Sequence, residues 1–503
     1  MSGLGIYTAT VSFLLIIVVL KKLFSRHSNE NYPPGPPGRV FIGNLREIPD
    51  KKPWLAYTEW AKNYGELMHL QAMGDHIVIL SSADAANDLL EKRTRIYSGR
   101  PYEDVAITVG WGFNIGLQSY SDTWRRSRRM FQQILRPDAV VQLRPVIQEC
   151  IGIFMQNLIE SPEKFMDHIA VLSGGLALKT MYGITVKSEE DTLISIAKSA
   201  AESGDKIFAP HFIAILKCCP FIMSVPRWVP VLGHARRHIE FSQNLLDGIR
   251  ELPLQQAQKS MESGVPNDGV AVRLLRDTDP GDVERIRLIK DVASLTYFAG
   301  ADTTLSSTGT FFLAMAKNTQ AQQRAQQEID AIVGRGRLPT LDDRRSLPYV
   351  EAIYREVMRW YPALPIGVPH MATKPDSYKG YYIPQGTIVF SNIWAMSHDE
   401  DIYPEPHKFK PERFLNTSGN INDVLAYGFG RRVCVGRHLA DTVLWLTFAS
   451  VLACFDIRKE KDEQGNEIDI PEHYSDGPGL FSHPLPFRCN ITPRYAGVES
   501  LIA

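Results

Sequence analysis

The stretch Tyr427-Gly428-Phe429-Gly430-Arg431-Arg432-Val433-Cys434-Val435-Gly436 decides how the rest of the chain is read. Three glycines around one cysteine let the backbone pass close to something flat. An apolar helical pattern follows at once, from about Arg437 to Cys454. A cysteine just ahead of a helix has its thiolate stabilised by backbone N–H groups and by the positive end of the helix dipole. That setting suits a thiolate kept permanently as a metal ligand. Gly428-Phe429-Gly430 is not a dinucleotide loop, because Val433 stands where the third glycine belongs.

Working outward, the chain has 503 residues, 44% of them hydrophobic, enough to bury a large core. No Ser/Gly-rich linker, low-complexity tract or internal repeat divides it after residue 40, so residues 41–503 read as one catalytic domain. A net charge of −1 gives no footing for nucleic acid. The six cysteines (Cys150, Cys218, Cys219, Cys434, Cys454 and Cys489) include no zinc-type Cys-x-x-Cys pair. A disulfide framework is not expected, and a reducing compartment is. Cys218 and Cys219, near His211, read as buried, inert thiols rather than metal ligands.

Residues 1–30 read as a membrane anchor. Leu4 to Leu20 carries no charge and is followed by Lys21, Lys22 and Arg26. Its length sits at the lower limit for spanning a bilayer, about 17 residues. No positive charge precedes it and no small-x-small site follows, which argues against a cleaved signal peptide. The trailing charges place the domain in the cytosol. Next, Pro33-Pro34-Gly35-Pro36-Pro37-Gly38 makes residues 31–40 a stiff hinge, since proline resists helix.

Alternation predicts a β-hairpin over Leu67–Gln71 and Ile77–Leu80, and a second over Tyr381–Ile383 and Thr387–Ser391. Most of the remainder reads as helix. The longest runs from about Asp282 to Ala316 without proline, on the order of 50 Å, and is apolar on several faces, hence central. The fold class is mainly α with small β-sheets near one edge. Ala299-Gly300-Ala301-Asp302-Thr303-Thr304 interrupts that long helix with polar groups that need partners or a purpose. Glu356 and Arg359 are three apart on one helix face and can pair. Trp124 and Arg128 likewise share a face.

Taken in order, these segments resemble the cytochrome P450 family, whose haem-binding pattern is Phe-x-x-Gly-x-Arg-x-Cys-x-Gly. Gly430, Arg432, Cys434 and Gly436 match it, while Tyr427 occupies the phenylalanine position and brings a hydroxyl that needs a partner. Glu356-Val357-Met358-Arg359, Pro411-Glu412-Arg413-Phe414 and the Trp-x-x-x-Arg of Trp124 and Arg128 fit further family motifs. The resemblance implies the cytochrome P450 fold, with haem b held between the long central helix and the cysteine loop. It implies Cys434 as the iron ligand, whose electron donation favours O–O cleavage. It implies a structural triad of Glu356, Arg359 and Arg413. Trp124, Arg128, His370 and Arg432 would meet the haem propionates, and Asp302 and Thr303 would deliver protons during oxygen activation. Family topology points to Val105, Ile107, Phe298, Ala301, Leu364, Ile366, Leu480 and Phe481 as pocket lining, apolar and without a charge that demands a charged ligand.

The implied activity is oxidation of a lipophilic small molecule using O2 and NADPH. With no flavin or nicotinamide domain, electrons would come from NADPH-cytochrome P450 reductase, with cytochrome b5 as a second donor. The implied location is the endoplasmic reticulum membrane, single-pass, in contact with lipid. The texture is similar to microsomal fungal members that oxidise terpenoids, polyketides or alkaloids in secondary metabolism. Two rivals are a haem-thiolate isomerase or dehydratase, against which Asp302-Thr303 argues, and a haem-binding sensor. Proline-broken apolar residues between Phe208 and Leu232 suit an interface-dipping lid. Arg125, Arg126, Arg129, Arg431 and Arg437 suit a face that steers an acidic electron donor.

Overall fold

The computed structural model describes residues 30–40, 42–416, 419–476 and 481–502. The apolar segment Leu4–Leu20 lies outside them. Among the described residues no helix is long and apolar enough to cross a membrane.

The helices that shape the centre follow apolar spacing and capping. α1 (Asp122–Leu135) begins where the Ser121 hydroxyl accepts from the Trp124 N–H, and buries Trp124, Met130, Phe131 and Leu135. α2 (Phe165–Tyr182) is buried on most sides and stops at Gly183, which takes the left-handed conformation at φ 68°. α3 (Thr192–Ile207), α4 (Pro210–Cys218) and α5 (Leu232–Glu262) cover one side. α6 (Val283–Lys317) starts at Asp282, whose carboxylate accepts from the Arg285 N–H. It is the long central helix and lies within a residue of the span expected from sequence. α7 (Pro348–Trp360) and α8 (Arg437–Cys454) complete the set, α8 as predicted. α6 packs along α2, and its Phe311 stacks on Phe448 of α8 with ring centroids 4.1 Å apart. Truncating such a fully buried ring to alanine costs about 3–5 kcal/mol.

The first hairpin forms as read. β1 (Leu67–Ala72) pairs antiparallel with β2 (Asp75–Leu80) in the register Leu67 to Leu80. Its turn is Met73-Gly74, both at positive φ. The second expected hairpin does not form. Pro384 to Gly386 does turn the chain, but the flanking strands part company. β3 (His370–Met371) and β2 flank β6 (Ile388–Ser391), antiparallel and parallel respectively, giving the sheet order β1-β2-β6-β3. β4 (Asp376–Tyr378) instead folds back on β5 (Tyr381–Ile383) through Lys379-Gly380. Those two residues carry the positive φ of a tight hairpin turn, whereas buried Ile388 and Val389 gain more by lying inside a sheet. β7 (Phe455–Arg458) and β8 (Asn490–Pro493) form a separate pair.

The proline-rich stretch lies along β1. The His69 N–H donates to the Pro34 carbonyl at 2.9 Å, and Asn44 Nδ2 to the Pro36 carbonyl at 3.0 Å. Cys218 is exposed, not buried as its sequence setting suggested, and all six cysteines are free thiols.

Candidate active site

Between α6 and the cysteine loop lies a cavity of about 390 Å³. Ala299, Gly300 and Thr303 line it from α6, and Phe429, Arg432 and Cys434 from the loop opposite. The loop is fixed by its own backbone. The Cys434 N–H donates to the Tyr427 carbonyl at 2.8 Å. Gly430 has φ 56° and sits so close to Leu90 that a Cβ there would be 2.2 Å from the Leu90 carbonyl oxygen, so only glycine fits. Cys434 is open to the cavity, yet the protein packed around the loop desolvates its thiol and pushes it up, against the pull of the Gly436 N–H, Arg128 and Arg437. A coordinated metal cation would hold it as the thiolate outright. The Tyr427 hydroxyl is engaged 2.9 Å from the buried Tyr354 hydroxyl.

One edge of the cavity gathers cations, Arg100 buried and Arg128 and Arg432 half-buried. Arg128 Nη2 donates to the Val433 carbonyl at 2.7 Å. Arg432 donates to Ser98 and Ile115 carbonyls and lies 4.4 Å from the Trp124 ring. Arg100 donates to the Pro369 carbonyl at 2.6 Å and the Gly116 carbonyl at 2.6 Å. His370 is buried with Nδ1 2.7 Å from the Tyr97 carbonyl, and Trp124 Nε1 donates to the Ile115 carbonyl at 3.2 Å. These partners are neutral carbonyls, and the groups repel one another. Burial and Arg128 push Arg432 down to about 10, and burial with Arg432 pushes Arg100 well below its usual range. Burial and Arg100 press His370 down too. Crowding partly desolvated cations this way is costly unless an anion completes the set. Haem fits on both counts: Cys434 would supply a donor to its iron, and Arg100, Arg128 and Arg432 would meet its two carboxylates. Arg100 was not singled out from sequence, because Ser98-Gly99-Arg100 carries no motif spacing.

Behind the loop, Glu356 is completely buried. Arg359 donates to both its oxygens at 2.7 and 2.8 Å, and Arg413 Nε to one of them at 3.2 Å. The Lys410 N–H adds a fourth contact at 2.7 Å. The carboxylate thus ties α7 to the Pro411–Phe414 turn.

On α6, Thr303 lines the cavity, with its Oγ1 donating back to the Ala299 carbonyl at 2.9 Å. Asp302 is turned toward His483, Oδ2 to Nε2 being 3.3 Å. Phe298, Leu364 and Phe481 line the cavity. Four other expected lining residues do not. Val105 packs in the core, and Ile107 is 61% exposed because the helix Glu103–Thr108 turns it outward. The Ala301 Cβ faces Gly174 of α2, and Ile366 joins the cluster with Met68 and Ile388. Leu480 lies outside the described residues. The lining also includes Trp111, Phe208 and Asp205, so it does carry a charge, contrary to the sequence expectation. The segment after Phe208 divides: Phe212 and Ile213 are buried, whereas Phe221 and Trp228 are exposed, Trp228 at 81%.

A thiol on one wall, crowded cations on one edge and a polar notch in the helix opposite suit a flat, anionic metal cofactor. The cytochrome P450 family profile matches residues 33–489. Cytochrome P450 monooxygenase COX2 of Coprinopsis cinerea is 37% identical over 497 residues, covering 97% of this chain and 94% of that protein. Cytochrome P450 monooxygenase ple1 of Rhodocybe pseudopiperita is also 37% identical, over 95% and 92% of the two chains. A zebrafish cytochrome P450 solved with abiraterone shares the fold at TM-score 0.69 and 24% identity, covering 88% of this chain and all of that one. This chain belongs to the cytochrome P450 family, whose members are haem-thiolate oxidoreductases.

Proposed function

We propose that this enzyme hydroxylates or otherwise oxidises a lipophilic small molecule, with O2 as oxidant and electrons from NADPH through a separate reductase. The observation that carries the reading is the cavity, with Cys434 and the uncompensated cations on one side and Thr303 on the other. Haem, when bound, supplies the redox chemistry that activates O2. Cys434 would ligate its iron, and Arg100, Trp124, Arg128, His370 and Arg432 would hold its carboxylates. Thr303 Oγ1 can accept from a proton donor at the cavity wall, and Asp302, next to it on α6 and turned toward His483, would pass protons to that position. Phe298, Leu364 and Phe481 exclude water and orient an apolar substrate. The fungal relatives, each named a monooxygenase, support the same reading, as does the resemblance to secondary-metabolism members. An isomerase, a dehydratase or a sensor would have no use for the Asp302–Thr303 pair.

The exposed Phe221 and Trp228, with the apolar Leu4–Leu20 segment, support attachment to the endoplasmic reticulum membrane with the domain in the cytosol. The reductase would dock on the cysteine side, and cytochrome b5 is a second candidate there.

The test is turnover with purified NADPH-cytochrome P450 reductase. Oxygenated product formed together with NADPH consumption supports the reading. Product without NADPH consumption would point to an isomerase or dehydratase, and haem binding without either to a sensor.

A further inference from the structure

After the cavity-lining Phe481, the chain lies against α6 through two contacts one helical turn apart. The Ser306 hydroxyl donates to the Ser482 carbonyl at 2.5 Å, and four residues earlier Asp302 Oδ2 lies 3.3 Å from His483 Nε2. The His483 main chain is pinned further: its N–H donates to Ser475 Oγ at 3.1 Å, and its carbonyl accepts from the Ser475 N–H at 2.8 Å. Its ring is held far less. Nδ1 is buried without a hydrogen-bond partner among the described residues, and Asp302 Oδ2 has none there besides the ion pair. The Glu356 carboxylate, with four donors, is fixed for structure. Asp302 hangs on one contact in a partly exposed pair, and such a contact is weak enough to open. Asp302 and His483 do not line the cavity, but their chain neighbours Thr303 and Phe481 do.

We propose that His483 is a positioning residue that loads Asp302 with a proton and then releases it. This rests on the reading of Thr303 and Asp302 as the path by which protons reach the cavity. While the ring is charged, the ion pair holds the Asp302 carboxylate turned toward His483. Passing the proton breaks the Nε2–H bond and forms an O–H bond on Oδ2, which leaves both groups neutral. Partial burial favours that neutral pair, because it disfavours charge. The attraction that tethered the two then vanishes, and the protonated carboxyl is free to turn to the neighbouring Thr303. The ring regains its proton from solvent, to which its side chain is 27% exposed. Charges act on His483 from two helices, Asp302 on α6 and Asp205 on α3. Burial lowers the ring, but the Asp302 contact and the two carboxylates outweigh it and hold the ring above its ordinary range. Burial and Asp302 push the Asp205 carboxyl up to about 6, with Glu202 adding to the rise and His483 opposing it. At neutral pH Asp205 is therefore charged and favours the charged ring.

The first test is a nuclear magnetic resonance titration of histidines labelled at Cε1. The haem-loaded full-length protein is kept reduced and carbon monoxide-bound, so that it is diamagnetic. His483→Gln or His483→Asn assigns the His483 signal by its loss. Its midpoint should lie above that of an ordinary histidine, fall in Asp302→Asn and fall less in Asp205→Asn. A midpoint unmoved by Asp302→Asn would overturn the inference, since the two groups would not be paired. The second readout is peroxide released per NADPH during reductase-driven oxygen consumption, followed against pH at equal carbon monoxide-binding haem. In the wild type it should rise as pH passes upward through the His483 midpoint, because the uncharged ring has no proton to pass. His483→Gln should raise it severalfold below that midpoint and flatten the profile, and adding Asp302→Asn should raise it no further. An unchanged profile in His483→Gln, with Thr303→Ala still raising peroxide, would make the ion pair structural only and overturn the inference. If Thr303→Ala changed nothing either, the proton path itself would be wrong and the inference would fall with it.

Discussion

Thr303 serves two ends. Its hydroxyl donates to the Ala299 carbonyl, which ties it to α6, yet it faces the cavity with an oxygen that can still accept. Replacing it by alanine removes a proton-holding group without touching Cys434 or the cation cluster. Thr303→Ala should therefore retain haem while the product formed per NADPH falls severalfold and peroxide rises. An unchanged ratio would mean that another group supplies the protons. At this scale the motif residues were legible, because Cys434, Thr303, Arg128 and Arg432 each sit at fixed spacing from a glycine, a cysteine or a tryptophan. Arg100 was not. Its importance comes from Arg432 and His370, which the fold brings beside it, and neighbouring sequence carries no trace of that.

Elements divide along the same line. α6 and α8 were readable because a continuous apolar pattern bounded by Asp282 and Gly436 fixes a helix locally. The β5–β6 hairpin was misread because both candidate turns, Pro384–Gly386 and Lys379-Gly380, look locally adequate, and the burial of β6 between β2 and β3 decides between them. Val105, Ile107 and Ile366 were misplaced for a similar reason: apolar residues near a pocket can face the core or solvent, and helix phase settles which for Val105 and Ile107, the turn after α7 for Ile366. The Glu356 carboxylate links elements distant in sequence. Glu356→Gln leaves buried Arg359 and half-buried Arg413 without their anion, a loss of about 3–5 kcal/mol. The urea midpoint and the haem retained per protein should both drop. If both stayed at wild-type values, the triad would not be what holds the loop behind the cofactor.

For the whole molecule, the account requires a membrane-facing side and a partner-facing side. Removing residues 1–30 should weaken liposome binding but leave a residue of affinity, which a further Trp228→Ala and Phe221→Ala exchange should remove, since both rings stand in solvent. Complete loss on truncation alone would count against that surface. On the partner side, Arg125 pairs with Asp122 and Arg126 with Glu284, while Arg129 is exposed. Charge reversal at Arg125 and Arg129 should slow reductase-driven reduction most at low salt and leave peroxide-driven turnover nearly unchanged. A parallel fall in both routes would mean damage to haem binding. All of this depends on Cys434 being the axial ligand in a cation-edged haem site. The most direct measurement is the absorption spectrum of the reduced, carbon monoxide-bound protein, wild type beside Cys434→Ser. The wild type should give the red-shifted Soret band of a thiolate-ligated haem and the variant should lose it, together with oxygenation. A variant that kept that band would contradict the assignment.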